Sequence, residues 1–242
     1  MIKFFRRIRQ QLLTENKFSK YLLYAIGEIA LVMIGILLAL QVNNWNDERK
    51  EKRHEIDILK QMKTDLEEDI QIGWKYPIYV REMSIKSSEI IINNLENYKP
   101  YHDSLDVSFA WIPATTIFMP RTSVYDNLKT VGFDVIDNND LRNKYQQLFD
   151  FRYKLLELQF NEINIRIYNR FEDFYLDNFK EIEIQKNATP LDYEALSGNH
   201  KFLQMVKLNK KIKEQQLQLL AETKEEINYV IDLIAQELNY KE

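Results

Sequence analysis

The chain has 242 residues, 45% hydrophobic and 29% charged, a composition typical of a folded protein rather than a disordered one. No residue is a cysteine, which excludes disulfides, thiolate metal sites and cysteine nucleophiles. The net charge is −4 at pH 7, and the basic residues are concentrated at the N-terminus, so the acidic remainder is not expected to bind nucleic acid.

Residues 1–20 form a basic segment that we expect to lie in the cytoplasm. They carry six basic side chains and one acid, and beside a membrane they would meet anionic lipid headgroups. Residues 2–13 are also amphipathic in helical register. They are predicted either to lie on the cytoplasmic leaflet as an interfacial helix or to act only as the basic flank that sets topology.

Residues 21–42 are predicted to form a transmembrane helix. From Leu22 to Leu40 the chain has 19 residues with one charge, Glu28, and about 20 apolar residues cross the hydrocarbon core of a bilayer. A cleaved signal peptide is the main alternative. Its apolar region is normally shorter and ends in a small-x-small cleavage site, which this segment lacks.

One face of the predicted membrane helix is a candidate contact with another helix. An ionisable group such as Glu28 is costly inside a bilayer and is a functional hypothesis by default. Gly35 and Ala39 follow on the same face and form a small-xxx-small pair, which lets a second helix approach closely. The alternative is that Glu28 extends to the headgroups and has no partner helix.

Residues 43–242 are predicted to form an elongated extramembrane bundle, so the fold class is all-α with an N-terminal transmembrane helix. Only five glycines and five prolines interrupt this region and the anchor, which favours long helices. Helical periodicity predicts four helices. They cover residues 47–98 with a kink at Pro77, 123–131, 139–180 and 199–240, with a polar connection at 186–198.

The charge-free stretch 107–120 interrupts this pattern. It is too short and too rich in proline to cross a membrane. We expect it to fold back and plug the end of the helical core, and the alternative is an apolar binding element.

The last helix carries an apolar seam with alternating three-residue and four-residue spacing, typical of a coiled coil or bundle. Its members are Leu217, Leu220, Ile227, Ile231, Ile234 and Leu238, with Lys224 as one interruption. The seam is interpreted as an internal bundle contact, with a homodimer interface as the alternative.

No catalytic, metal or cofactor site is predicted. The three histidines, His54, His102 and His200, lie in different segments without a second ligand at metal-binding spacing. The acidic cluster at 134–140 lacks the calcium-loop pattern and is interpreted as a turn with a helix cap. Phosphate loops and nucleophile elbows are absent, so the protein is not expected to be an enzyme.

Two stretches carry a resemblance to a known family. The first contains Ala-Ile-Gly-Glu-Ile at 25–29, Ile-Gly-Ile-Leu at 34–37 and Asn-Asn-Trp-Asn at 43–46, and the second covers residues 118–145. Both resemble an uncharacterised family of small bacterial single-pass membrane proteins. The resemblance implies an anchored helical extramembrane domain without an assigned activity, and it brings no catalytic residue to this chain.

These features predict a non-enzymatic interaction or scaffolding protein of the bacterial cell envelope, without cofactor. Its expected partners are the lipid bilayer and either a second copy or another envelope protein. Six basic residues precede the anchor and five follow it up to residue 60, and a long domain can be translocated whatever its charge. We therefore expect a cytoplasmic N-terminus and a periplasmic domain at the inner membrane. The alternative function is a ligand-sensing extracytoplasmic domain that signals through a partner.

Overall fold

The computed structural model describes residues 18–241, with the side chains of residue 22 and of residues 25–241. The predicted interfacial helix at 2–13 lies outside the described residues. The chain divides into two compact units, Met1–His54 and Glu55–Glu242. The structure is 82% helical with one small two-stranded sheet, which confirms the predicted all-α class.

The described helices and strands follow one another in this order. They are α1 (Phe18–Glu68), π1 (Asp69–Gly73), α2 (Lys75–Glu96), α3 (Leu105–Trp111), α4 (Ser123–Val131), a 3-10 turn (Phe133–Val135), α5 (Asn139–Gln147), π2 (Leu148–Tyr153), α6 (Lys154–Glu157), π3 (Leu158–Ile163), α7 (Asn164–Asn178), β1 (Phe179–Glu183), β2 (Asn187–Pro190), α8 (Tyr193–Ser197) and α9 (His200–Lys241).

The first unit contains the apolar part of α1. Among the described residues, this is the one helix long and apolar enough to cross a membrane, and none of its apolar window is buried. The large hydrophobic side chains that the structure describes between Leu22 and Trp45 are each at least 51% exposed. This is the segment in which the sequence predicts the membrane helix.

The break after α1 differs from the prediction. The kink was expected at Pro77, but α1 ends at Glu68, a π-helical segment follows, and α2 begins at Lys75. Pro77 lies in the first turn of α2, where a missing N–H leaves no intrahelical hydrogen bond unmade. The regular α-helical hydrogen bonding is interrupted from Asp69 to Trp74 instead.

The short helix α4 spans Ser123–Val131, as predicted. It ends at Gly132, whose φ of +105° is a conformation that residues with a Cβ rarely adopt. The acidic cluster that follows contains the predicted cap: the Asn138 side chain accepts hydrogen bonds from the backbone N–H groups of Asp140 and Leu141 at the start of α5.

The second long helix is interrupted and shorter than expected. The predicted range 139–180 contains π2 and π3, and the helix ends at Asn178. An antiparallel hairpin, β1 and β2, replaces the first part of the predicted polar connection. It needs positive φ at Gln185 in its turn and at Glu181 within β1, where the strand register shifts. Neither residue type is a usual marker of that conformation, so the sequence carried no turn signal there.

The last helix, α9, runs from His200 to Lys241 and agrees with the predicted range. Its end is fixed by an ion cluster. Lys241 Nζ lies 2.5 Å from a carboxylate oxygen of Glu55, 3.0 Å from Asp137 and 3.4 Å from Glu237. Glu55 is only 2% exposed and also accepts a hydrogen bond from the backbone N–H of Asp137. The end of α9 is therefore held against Glu55, the first residue of the second unit.

The second unit contains two large apolar cores and a small third cluster of Val80, Trp111 and Ala114. The first core includes Leu59, Met62, Leu66, Trp74, Phe118, Tyr145, Phe149, Tyr153, Phe160, Leu220, Ile227 and Ile234. The second core includes Ile91, Leu95, Phe109, Phe171, Tyr175, Phe179, Phe202 and Val206. Aromatic rings dominate both: Tyr125 stacks on Phe149 with centroids 4.5 Å apart, and Tyr175 stacks on Phe179 at 4.2 Å.

Candidate functional site

A buried polar layer separates the two cores. Its side chains, each 2% exposed or less, are Arg81, Ser84, Asn164, Asn209, Lys213 and Gln216. On α9 the order is Val206 of the second core, then the layer, then Leu220 of the first core. The reverse order holds from Phe160 of the first core, past Asn164, to Phe171 of the second core, so the layer crosses the bundle.

Arg81 is the most heavily bonded side chain of the layer. Its Nε donates to Gln216 Oε1 at 3.1 Å, and Nη1 donates to the Pro77 carbonyl at 2.9 Å and Thr116 Oγ1 at 2.7 Å. The guanidinium carbon lies 3.6 Å from the Phe160 ring centroid, a cation–π contact. Burial lowers the pKa of Arg81 to about 9. This side chain joins α2, α9 and the connection between α3 and α4, which is called the 112–122 segment below.

Lys213 is the second buried cation. Its Nζ donates to Asn164 Oδ1 at 3.0 Å, and Gln216 Nε2 donates to the same oxygen at 3.1 Å and to the Gln159 carbonyl at 2.8 Å. Burial, and then the charge of Arg81, lower the pKa of Lys213 to about 7. Within the described part of the chain, no carboxylate lies within ion-pair distance of either cation.

Polar side chains hold the backbone of the 112–122 segment in place. The Phe118 backbone N–H donates to Asn161 Oδ1 at 2.9 Å, and Asn161 Nδ2 donates back to the Phe118 carbonyl at 3.3 Å. Phe118 is 4% exposed, while Ile117 and Met119 on either side are 59% and 76% exposed. Ile112 and Ala114 are buried as well, so the segment packs into the interior of the second unit at these positions and at Phe118.

Asp69 fixes the far end of this segment. Its carboxylate accepts hydrogen bonds from the Arg121 backbone N–H at 3.2 Å, the Arg121 guanidinium at 3.3 Å and the Tyr153 hydroxyl at 3.0 Å. Asp69 is 1% exposed, and burial raises its pKa against these hydrogen bonds, which lower it. Arg121 Nε also pairs with Glu68 at the surface, at 2.9 Å.

The membrane-helix candidates lie on the first unit. Gly35 and Ala39 are exposed on α1, and Glu28 is half-buried. A Cβ placed on Gly35 would meet no atom within 4 Å, so this face is open to contacts from outside the chain. Whether Glu28, Gly35 and Ala39 contact another helix stays a prediction.

The seam candidates of α9 lie against the chain's own core. Leu220, Ile227 and Ile234 are buried in the first core, and Leu217, Ile231 and Leu238 pack against it partly buried. This placement corresponds to the internal of the two interpretations.

The sequence analysis missed Asp69 and the polar layer, although α9 carried a signal. Between Val206 and Leu220 its buried stripe continues at helical spacing through Asn209, Lys213 and Gln216. A polar break in an otherwise apolar stripe indicates polar residues that face a core. Within the described residues, no group of three or more His, Cys, Asp or Glu could hold a metal ion.

The fold and the site define an all-helical protein with one exposed apolar helix and a helical unit whose interior contains a polar layer. The chain belongs to a family of unknown function (DUF6090), whose model matches residues 28–156, just over half of the chain. The match supports the uncharacterised character of the family that the sequence resembles. It includes Asp69, Arg81 and the 112–122 segment, and it ends before Lys213. No curated protein matches, and no solved structure matches.

Proposed function

We propose that this protein is a membrane-anchored, non-enzymatic interaction protein of the bacterial cell envelope. The observation that carries the proposal is the exposed apolar surface of α1, whose described large hydrophobic side chains between Leu22 and Trp45 are each at least 51% exposed. Soluble monomers rarely expose contiguous apolar patches of this extent. A bilayer is the solvent that matches an all-round apolar helix of this length.

The proposed contact with a protein partner lies on one face of this helix. Glu28 and Gly35 are seven residues apart, close to two helical turns, and Ala39 is one further turn along. Small residues let a second backbone approach closely, and a polar side chain on the same face can hydrogen-bond across the interface. The partner is a second copy of the chain or another envelope protein.

The variant Gly35→Leu tests this face. We expect it to weaken the membrane complex on the order of tenfold, because a bulky side chain prevents close approach of the helices. The measurement is the size of the full-length protein, and the proteins that co-purify with it, in mild detergent. The chain itself should not be strained, since no atom lies within 4 Å of the added Cβ.

Ala30→Leu is the matched control, because it adds similar bulk to an exposed residue about 140° around the helix axis. It should leave the complex unchanged. An unaltered complex in Gly35→Leu, or equal losses in both variants, would contradict a specific contact face.

The proposed orientation places the N-terminus in the cytoplasm and the domain in the periplasm. The absence of native cysteine makes a labelling test clean. Ser104, which is exposed, and Ser19 are each replaced by cysteine, and intact cells are treated with a membrane-impermeant maleimide. We expect labelling at position 104 and none at 19. The reverse pattern would place the domain in the cytoplasm, and a shortened product would indicate a cleaved signal peptide.

A ligand-sensing role is the second candidate, and one groove favours it. The groove has a volume of about 220 Å³ and is lined by Pro113, Tyr168, Phe171, Glu172, Tyr175, Leu176, Ile182 and Ile184. Ligand pockets usually have volumes of about 300–1,000 Å³. This apolar groove is smaller than that range, and two grooves of about 520 and 430 Å³ are lined largely by charged side chains.

A further inference from the structure

The two buried cations of the polar layer are bonded very differently. Arg81 donates to the Pro77 carbonyl, both oxygens of Thr116 and Gln216 Oε1, and its flat face covers the Phe160 ring. These acceptors suit a charged guanidinium, whose donors are fixed in a planar fork.

Lys213 lacks such a set of acceptors. Its Nζ has one hydrogen-bond acceptor among the described residues, Asn164 Oδ1, and shares that oxygen with Gln216 Nε2. An ammonium group carries three donors, and a buried charge that is neither paired nor fully hydrogen-bonded is costly. A neutral amine needs less solvation, so it fits this environment better.

The surroundings of Lys213 contain one other charged group. The polar and aromatic side chains facing the layer are Arg81 and Ser84 from α2, Thr116 from the 112–122 segment, Phe160 from π3, Asn164 from α7, and Asn209 and Gln216 from α9. Of these, only Arg81 is ionisable, and it repels a protonated Lys213. A proton on Lys213 therefore adds a second positive charge to a layer that has no acid to balance it.

We propose that the layer is a proton-controlled joint between the two cores: Lys213 is a neutral amine when the layer is closed, and its protonation loosens the packing of α9 against α2. The proposal concerns the second unit alone and does not depend on the proposed partner of α1.

The direction of the pH effect follows from the two states of the lysine. In the opened layer Lys213 is solvated and has its ordinary pKa of about 10.4, whereas burial lowers the pKa to about 7 in the closed layer. At pH values between these two pKa values, Lys213 is protonated in the opened layer and neutral in the closed layer. The opened fraction should rise up to about tenfold for each unit by which pH falls, and should level off below about pH 7.

A buried reporter cysteine tests the joint in the full chain, held in detergent micelles. Ser88 on α2 is 0% exposed, and its Oγ has no hydrogen-bond partner among the described residues, so Ser88→Cys is close to isosteric. At each pH the rate at which a thiol reagent labels Ser88→Cys is divided by the rate at which it labels the exposed Ser104→Cys. This labelling ratio is free of the ordinary titration of a thiol, because both rates contain it. From pH 9 to pH 7 we expect the ratio to rise between about tenfold and a hundredfold.

When Ser88→Cys is combined with Lys213→Met, the labelling ratio should change less than about twofold between pH 9 and pH 7. Methionine keeps the length of the side chain, and Asn164 Oδ1 still accepts from Gln216 Nε2, so the layer should stay closed. Circular dichroism at both pH values checks that each variant is folded. A ratio independent of pH in Ser88→Cys alone would overturn the proposal, as would an equal rise in the Lys213→Met background.

Discussion

Replacing Phe118 by alanine is expected to lower the free energy of unfolding by about 3–5 kcal/mol, the usual cost of deleting a buried aromatic ring. The ring is 4% exposed and contacts three others, with centroids 6.3 Å from Trp74, 5.5 Å from Tyr153 and 6.0 Å from Phe160. Its removal leaves a cavity that cannot collapse easily, because the backbone of residue 118 is held at both its N–H and its carbonyl by Asn161. The measurement is denaturant unfolding of the full-length protein in detergent.

Met119→Ala is the matched control for this variant. Met119 is the next residue and also apolar, but it is 76% exposed, so its truncation should change stability by no more than about 0.5 kcal/mol. Similar losses in both variants would contradict the arrangement in which one ring of this segment enters the core and its neighbour faces outward.

Replacing Asp69 by alanine is the second change with a large expected effect, a loss of about 2–4 kcal/mol in the free energy of unfolding. Tyr153, whose hydroxyl donates to this carboxylate, is only 2% exposed, and the Arg121 backbone N–H is partly buried. Both donors would lose their acceptor. Part of this loss is offset, because the variant no longer has to bury a charged carboxylate. Denaturant unfolding of the variant and the wild type measures the difference.

Two variants isolate the role of the buried carboxylate. Glu68→Ala removes the surface pair with the same Arg121 and should cost less than about 1 kcal/mol, because the Glu68 side chain is 45% exposed. Asp69→Asn keeps one acceptor oxygen and should retain most of the stability. If Glu68→Ala were as damaging as Asp69→Ala, the stability would depend on the ion pairs of Arg121 and not on the buried hydrogen bonds.

The three π-helical segments of the second unit each contain a residue that helps to hold the 112–122 segment. Asp69 lies in π1, Tyr153 in π2 and Asn161 in π3, and each makes a contact that fixes this segment or its neighbours. A π-helical turn adds one residue to a helix and rotates the side chains that follow it, and such turns are frequent at functional sites. In this protein the three π segments position the polar side chains that hold a segment without regular structure.

Sequence periodicity was sufficient where a structure depends on neighbouring residues along the chain. The apolar run near residues 22–40, the end of α4 at Gly132, the cap at Asn138 and the extent of α9 all follow from local composition or from the preference of one residue type. The all-α class follows from the same local signals and is confirmed.

The rest was decided by contacts between distant residues. Arg81 and Gln216 are 135 positions apart, and Asp69 and Tyr153 are 84 apart, so no local pattern could bring either pair together. The break at Gly73 instead of Pro77, and the hairpin after α7, depend likewise on what the backbone packs against. The sequence by itself determined the long helical segments and the apolar surface of α1, but not the short helices α3 and α8 or the hairpin. Only the tertiary structure decided that two cations share one buried layer, because burial is a property of the packed bundle and not of any one helix.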